Sequence, residues 1–136
     1  MRFLSIYKTV ERNSPPSAEE VARMEALIEE QMKAGTLIAT EGCLPSALGA
    51  RVRRSGGKTT VTDGPFTESK ELVAGFALLE ATSKEHAIEL ARKFLDVAGE
   101  GECELRQIFT PSDAGSCLPV DTHAQLTEQF VRSQSA

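Results

Sequence analysis

Residues 2–8, RFLSIYK, set Leu4 and Ile6 on one side of an extended chain and Phe3, Ser5 and Tyr7 on the other. That period of two predicts a first strand. After the breaker Asn13-Ser14-Pro15-Pro16, the stretch Ser17-Ala18-Glu19-Glu20 has the form of a capping box, in which serine and glutamate satisfy free helix amides reciprocally. The helix it opens places Val21, Met24, Leu27, Ile28 and Met32 on one stripe, and Gly35 stands where a left-handed cap would close it. Residues 36–43 read as a second strand. Beyond the loop 44–49, a polar hairpin turns at Gly56-Gly57 and is mostly solvated. Residues 72–81, LVAGFALLEA, are the most apolar strand candidate, with Val73, Ala77 and Leu79 on one face and Ala74, Phe76 and Leu78 on the other. Thr82-Ser83-Lys84-Glu85 predicts a second capping box. Ala87, Ile88, Ala91, Phe94 and Leu95 then form the buried stripe of a helix that ends before Gly99. Residues 102–110 alternate again and predict the closing strand.

Strand, helix, strand, hairpin insertion, strand, helix, strand is the split βαβ order of a ferredoxin-like α+β sandwich with an inserted β-hairpin. Two helices cover only one face of a four-stranded sheet, yet residues 72–81 are apolar on both. The economical cover for the second face is another copy packed sheet to sheet, so a homodimer is expected. The folded unit is expected over residues 1–111. Residues 112–136 read as a tail with a linker-like start and a weak amphipathic helix from Asp121 carrying Ala124, Leu126, Phe130 and Val131. It would dock on the body or on a partner subunit, or fray.

A chain of 136 residues fits one domain with a real core, and 40% apolar with 26% charged residues is ordinary globular composition. A net charge of −5 disfavours a phosphate backbone, and the one dense basic run, Arg51-Val52-Arg53-Arg54, alternates as an exposed strand does, so no nucleic-acid partner is expected. No apolar run reaches the ~20 residues that span a bilayer. The amino terminus is too short and polar for a signal peptide, so a cytoplasmic protein without membrane contact is expected. Cys43, Cys103 and Cys117 are an odd, widely spaced set that suits neither a disulfide framework nor zinc. Cys43 and Cys103 read as small residues packed in strands. His86 and His123 lack metal-ligand spacing, and no glycine-rich phosphate loop or nucleophile elbow is present, so no metal or cofactor is expected.

Candidate chemistry gathers at residues 61–71, VTDGPFTESKE. Asp63 can form an Asx-turn with an amide two residues on, Gly64 supplies unusual backbone angles, Pro65 fixes the next φ and Phe66 acts as a plug. The alternative is a pocket rim, because Asp63, Glu68, Lys70 and Glu71 are more ionisable groups than a corner needs. Ser5 and Tyr7 on the first strand and Arg106 on the last are polar groups where a dimeric barrel has its interior. Tyr7 and Arg106 could bind a small acidic or phenolic ligand, or join an interfacial network with Glu41 or Glu104. His86 fits a surface position in the first turn of the second helix.

Asp63-Gly64-Pro65-Phe66, followed by Gly75-Phe76-Ala77-Leu78-Leu79-Glu80, resembles the DGPF motif of YCII-related proteins, in the YciI-like superfamily. MRFLSIYK, Gly42-Cys43-Leu44-Pro45, the AIELARKF helix and Glu104-Leu105-Arg106 extend the resemblance over residues 1–110. It implies a ferredoxin-like protomer paired as a dimeric α/β barrel. It also implies a setting beside extracytoplasmic-function sigma factors, hence a regulatory or accessory role. Some superfamily members carry a histidine on the first helix and an aspartate after the second as a proposed catalytic dyad. The first helix here has no histidine, so Asp96 has no such partner and the dyad does not carry over. Two functions follow: a small-molecule pocket serving an enzyme of proton-transfer or rearrangement type or a ligand sensor, with Tyr7, Asp63, Lys70 and Arg106 as binding candidates, or a non-catalytic module that contacts a sigma-factor-linked partner.

Overall fold

In the computed structural model, residues 1–110 and Glu128, Val131 and Arg132 are described. Glu128, Val131 and Arg132 of the expected tail helix are helical and exposed; its other residues, with Cys117 and His123, lie outside the described residues. Ser17 opens the first helix, α1 (Ala18–Lys33), through the full capping box: its hydroxyl accepts from the Glu20 amide while the Glu20 carboxylate accepts from the Ser17 amide. Arg12 adds an ion pair to the same carboxylate at 2.9 Å. With the Ser17 amide it holds the Glu20 carboxyl below its ordinary range. Gly35, at φ 74°, ends the helix as expected.

The second helix, α2 (Lys84–Ala98), starts one residue later than the predicted box. Ser83, not Thr82, is the N-cap and accepts from the His86 amide. That register puts Glu85 too early in the helix to reach back. The returning side chain is His86, whose Nδ1 accepts from the Thr82 amide at 3.1 Å. His86 therefore serves the helix start.

The strands are β1 (Arg2–Thr9), β2 (Leu37–Gly42), β3 (Ala50–Ser55), β4 (Lys58–Asp63), β5 (Leu72–Glu80) and β6 (Glu102–Gln107). Four of them form one antiparallel sheet in the order β2-β5-β1-β6, while β3 and β4 form a separate hairpin. Two helices with these antiparallel sheets are compatible with a ferredoxin-like α+β fold.

Cross-strand partners share a face, so the register sorts the sheet. Phe3, Leu79, Leu37, Ala77 and Leu105 face the helices and pack with Ile28, Ala87 and Leu90 as the core. Tyr7 lies on this face as well, its ring edge-on to Phe94 of α2 at 5.1 Å. The buried residues of α1 are Leu27 and Gln31, whereas Val21 and Met32, predicted for the buried stripe, are exposed at its margins. Leu90 joins Ala87 and Ala91 as the buried residues of α2.

The opposite face has no helix over it. Leu4, Ile6, Phe76 and Leu78 form its apolar centre, and Lys8, Glu104 and Arg106 stand along its β6 side. A register shift at Tyr7 and Lys8 sets Val73 opposite Lys8, moving it to this uncovered face rather than the face of Ala77 and Leu79. Val73 and Phe76 are 49% and 40% exposed.

Replacing Leu79 by Ala, at the centre of the covered face, is expected to cost about 3 kcal/mol in urea unfolding, from lost transfer energy plus a cavity. Ser17→Ala is expected to cost about 1 kcal/mol by the same measurement.

Candidate functional site

The turn after β2 decides where the DGPF stretch can go. Residues 46–48 close a 3-10 turn, in which the Gly49 amide donates to the Ser46 carbonyl at 2.9 Å. The Ser46 amide and hydroxyl both donate to the Glu11 carboxylate, which arrives from the end of β1, with the hydroxyl contact at 3.0 Å. The same hydroxyl oxygen accepts from the Phe66 amide at 3.1 Å. Ser46 thus ties residue 11 to residue 66 through one side chain.

The motif fits against this turn at close quarters. Asp63 is the last residue of β4 and pairs with Ala50, and the Gly64 amide extends the ladder to the Gly49 carbonyl at 2.9 Å. A Cβ on residue 64 would lie 1.6 Å from the Ser46 carbonyl oxygen, so only glycine passes here. The Gly64-Pro65 bond is cis. Phe66 then lies half-buried under the Arg51 guanidinium, whose carbon is 3.9 Å from the ring centroid. Arg51 also pairs with Glu68 and donates to the Ser69 hydroxyl at 3.2 Å. A hydrogen bond from its own backbone amide, and then Arg51, hold the Glu68 carboxyl below its ordinary range.

The expected Asx-turn is not made. Asp63 is exposed and its carboxylate has no hydrogen-bond partner among the described residues. The cause is chemical: the residue two positions on is Pro65, which has no N–H to give. The lock falls instead to Ser46, 17 positions earlier than Asp63 in the chain.

Beneath the loop lies an open cleft of about 510 Å³. Leu44, Leu48, Leu72 and Val73 make its apolar wall, and Glu11, Cys43 and Arg51 bring polar groups to it, with Phe66 at the rim. Cys43 is exposed in this wall, not packed in a strand, because β2 ends at Gly42 and only the Cys43 amide continues the pairing, to the Ala74 carbonyl at 2.8 Å. Cys103 does sit in a strand, half-buried, and burial pushes its thiol up.

Of the four binding candidates, none lines the cleft. Tyr7 and Arg106 lie on opposite faces of the sheet, so they cannot hold one ligand within a protomer. The Tyr7 hydroxyl donates to the Glu100 carbonyl at 2.6 Å in an exposed contact on the helix side of the sheet. Arg106 is on the uncovered face, 3.7 Å from Glu104, which Lys8 approaches more closely at 3.1 Å. Those contacts, Lys8 first, hold the Glu104 carboxyl below its ordinary range. Lys70 is exposed beyond the loop, and Asp96 is exposed on α2 with its carbonyl accepting from Arg23. No group of three His, Cys, Asp or Glu side chains among the described residues could hold a metal ion. No helix among them is long and apolar enough to cross a membrane.

Ser46→Ala is expected to lower stability by about 1 kcal/mol through loss of two bridged contacts, while Asp63→Ala stays within about 0.5 kcal/mol of the parent. Equal losses in urea unfolding would contradict the assignment of the lock. Glu68 titrates lower folded than unfolded, so its stabilising share is present above the unfolded pKa and disappears as pH falls through the folded one. Carboxyl-carbon NMR of Arg51→Gln should find the Glu68 titration moved up toward the ordinary value.

Comparison with known proteins identifies one relative and one family. An uncharacterised protein of Rhizobium meliloti (strain 1021) is 37% identical over 75 residues, which cover 54% of this chain and 60% of that protein. The chain thus spans about 60% of the length of the curated relative it matches. The family model described as the YCII-related domain matches residues 1–110, and the chain belongs to that family.

Proposed function

We propose that the protein is a cytoplasmic homodimer that binds a small, largely apolar molecule in the cleft beneath the DGPF loop and acts as a ligand sensor. The cleft carries this reading. Its volume of about 510 Å³ falls within the common range for small-molecule sites, and a mainly apolar wall with a few convergent polar groups is their usual make-up. Glu11 is engaged by Ser46, and Arg51 by Phe66, Glu68 and Ser69. Both act as framework, which favours binding over proton transfer.

The homodimer rests on the uncovered sheet face. Its apolar centre, Leu4, Ile6, Phe76 and Leu78, is flanked by Lys8, Glu104 and Arg106, the layout of a contact surface with a polar rim. Two such faces packed about a two-fold axis make the dimeric α/β barrel. A second reading draws on the same face: a non-catalytic module whose exposed Phe76 and Val73 are covered by a different protein, such as a regulator linked to an extracytoplasmic-function sigma factor.

Sedimentation velocity separates these readings, with a dimer expected for the parent chain and a monomer for Phe76→Asp. Phe76 is already 40% exposed in the protomer, so the variant should remain folded. A monomeric parent would favour the second reading. For the cleft, titration with the fluorophore 1-anilinonaphthalene-8-sulfonate should saturate at one site per subunit and weaken at least about tenfold in Leu48→Asp, a loss of ~1.4 kcal/mol. Unchanged titration in that variant would reject the cleft as the binding site.

A further inference from the structure

Glu11 and Arg51 are the charged groups in the wall of the cleft, and they differ in what they can still offer. Glu11 only accepts, and each of its oxygens already accepts from Ser46, one from the amide and the other from the hydroxyl. A guanidinium carries five N–H donors in a fixed fork. Arg51 gives one to Glu68 and one to Ser69, and the others have no hydrogen-bond partner among the described residues. Its carbon stands over the ring of Phe66, which lines the same cleft.

The hold of Glu68 on this arginine is one that a second carboxylate can contest. The two side chains are 65% and 44% exposed, and an exposed ion pair adds little stability. Glu68 also accepts from its own backbone amide, the first cause of its lowered carboxyl titration, so its carboxylate keeps a partner when the arginine turns away. Leu44, Leu48, Leu72 and Val73 make most of the remaining wall apolar. Such a wall fits a molecule with an apolar body and a single anionic end. The body covers the leucines and the valine, and a planar carboxylate matches the guanidinium fork. A second anionic end would have only Glu11 to meet among the charged groups of the wall.

Arg51 is also where the cleft joins the rest of the chain. It is the second residue of β3, and its contacts with Phe66, Glu68 and Ser69 reach into the turn that the Ser69 amide closes on the Phe66 carbonyl at 3.2 Å. Lys70 and Glu71 follow that turn directly and are exposed.

We propose that the cleft takes an apolar monocarboxylate, whose carboxylate exchanges with Glu68 on the Arg51 guanidinium and so releases the 66–69 turn. This rests on the cleft reading above and gives the sensor a ligand class and an output. The ligand binds the released form better than the paired one, and the Arg51–Glu68 pair weakens the ligand by the same factor. The change reaches the surface at Lys70 and Glu71.

Calorimetric titration of the full chain with octanoate and with its neutral analogue octanamide tests this. Octanoate is expected to bind about tenfold more tightly than octanamide, and Arg51→Gln to bring the two within about twofold of each other. Glu68→Gln, at an exposed position, removes the competing carboxylate and is expected to tighten octanoate about threefold while leaving octanamide unchanged. Saturating octanoate should also move the Glu68 carboxyl-carbon titration of the parent up toward its ordinary range, as Arg51 leaves it. Equal binding of octanoate and octanamide, or binding of neither, would overturn the proposal, while a fluorophore titration weakened by Leu48→Asp would still uphold the cleft. An octanoate preference that survives Arg51→Gln would overturn it too, as would octanoate binding indifferent to Glu68→Gln. A fluorophore titration unchanged by Leu48→Asp would bring down the cleft reading and this proposal together.

Discussion

Two helices can shelter one side of a four-stranded sheet, and the rest of this protein is organised by what happens on the side left over. The sheltered side takes Phe3, Leu37, Leu79 and the ring of Tyr7, and it holds the core. The other side keeps Leu4, Ile6, Phe76 and Leu78 in a sheet whose neighbouring positions include Lys8, Glu104 and Arg106. The Lys8–Glu104 pair is half-exposed and the longer Arg106–Glu104 pair has an exposed arginine, so both contribute modestly to stability. They give the apolar centre of this face a charged margin on its β6 side.

The DGPF stretch solves a different problem, the return from a hairpin that packs on little else to the strand entering the core. Gly64 and Phe66 of the motif and the residues just after it have separate tasks. Gly64 passes the Ser46 carbonyl, Phe66 gives its amide to Ser46 and its ring to Arg51, and Glu68 and Ser69 receive the same arginine. Glu68 is therefore the one ionisable group of this stretch that steadies the hairpin root. Lys70 and Glu71 remain exposed.

The features legible in the sequence were local ones. The element order, the Ser17–Glu20 box, the Gly35 cap and the Gly56-Gly57 turn each depend on residues within a few positions of one another. Period-two alternation sets Leu4 and Ile6 opposite Phe3, Ser5 and Tyr7, and the polar Ser5 and Tyr7 point away from the helices on that reading, whereas the apolar bulk of Phe3 and the Tyr7 ring goes to them. Tyr7 and Arg106 consequently read as sharing one space, yet they lie on two faces. The shift beside Lys8 moved Val73 across the sheet for a reason that alternation does not contain. The failure of the Asx-turn was readable, since Pro65 lacks the amide that Asp63 would need. The role of Ser46 was not, because its partners Glu11 and Phe66 are 35 and 20 positions away.

The hairpin's separation from the core has an evolutionary side. A core position such as Leu79 is constrained by every neighbour it touches, whereas Val52, Arg53, Arg54 and Val61 can change without disturbing the packing of the body. Drift in these positions alters the chemistry of the ribbon's surface while the scaffold stays intact. A dozen residues of surface are thereby open to change at little cost to the fold.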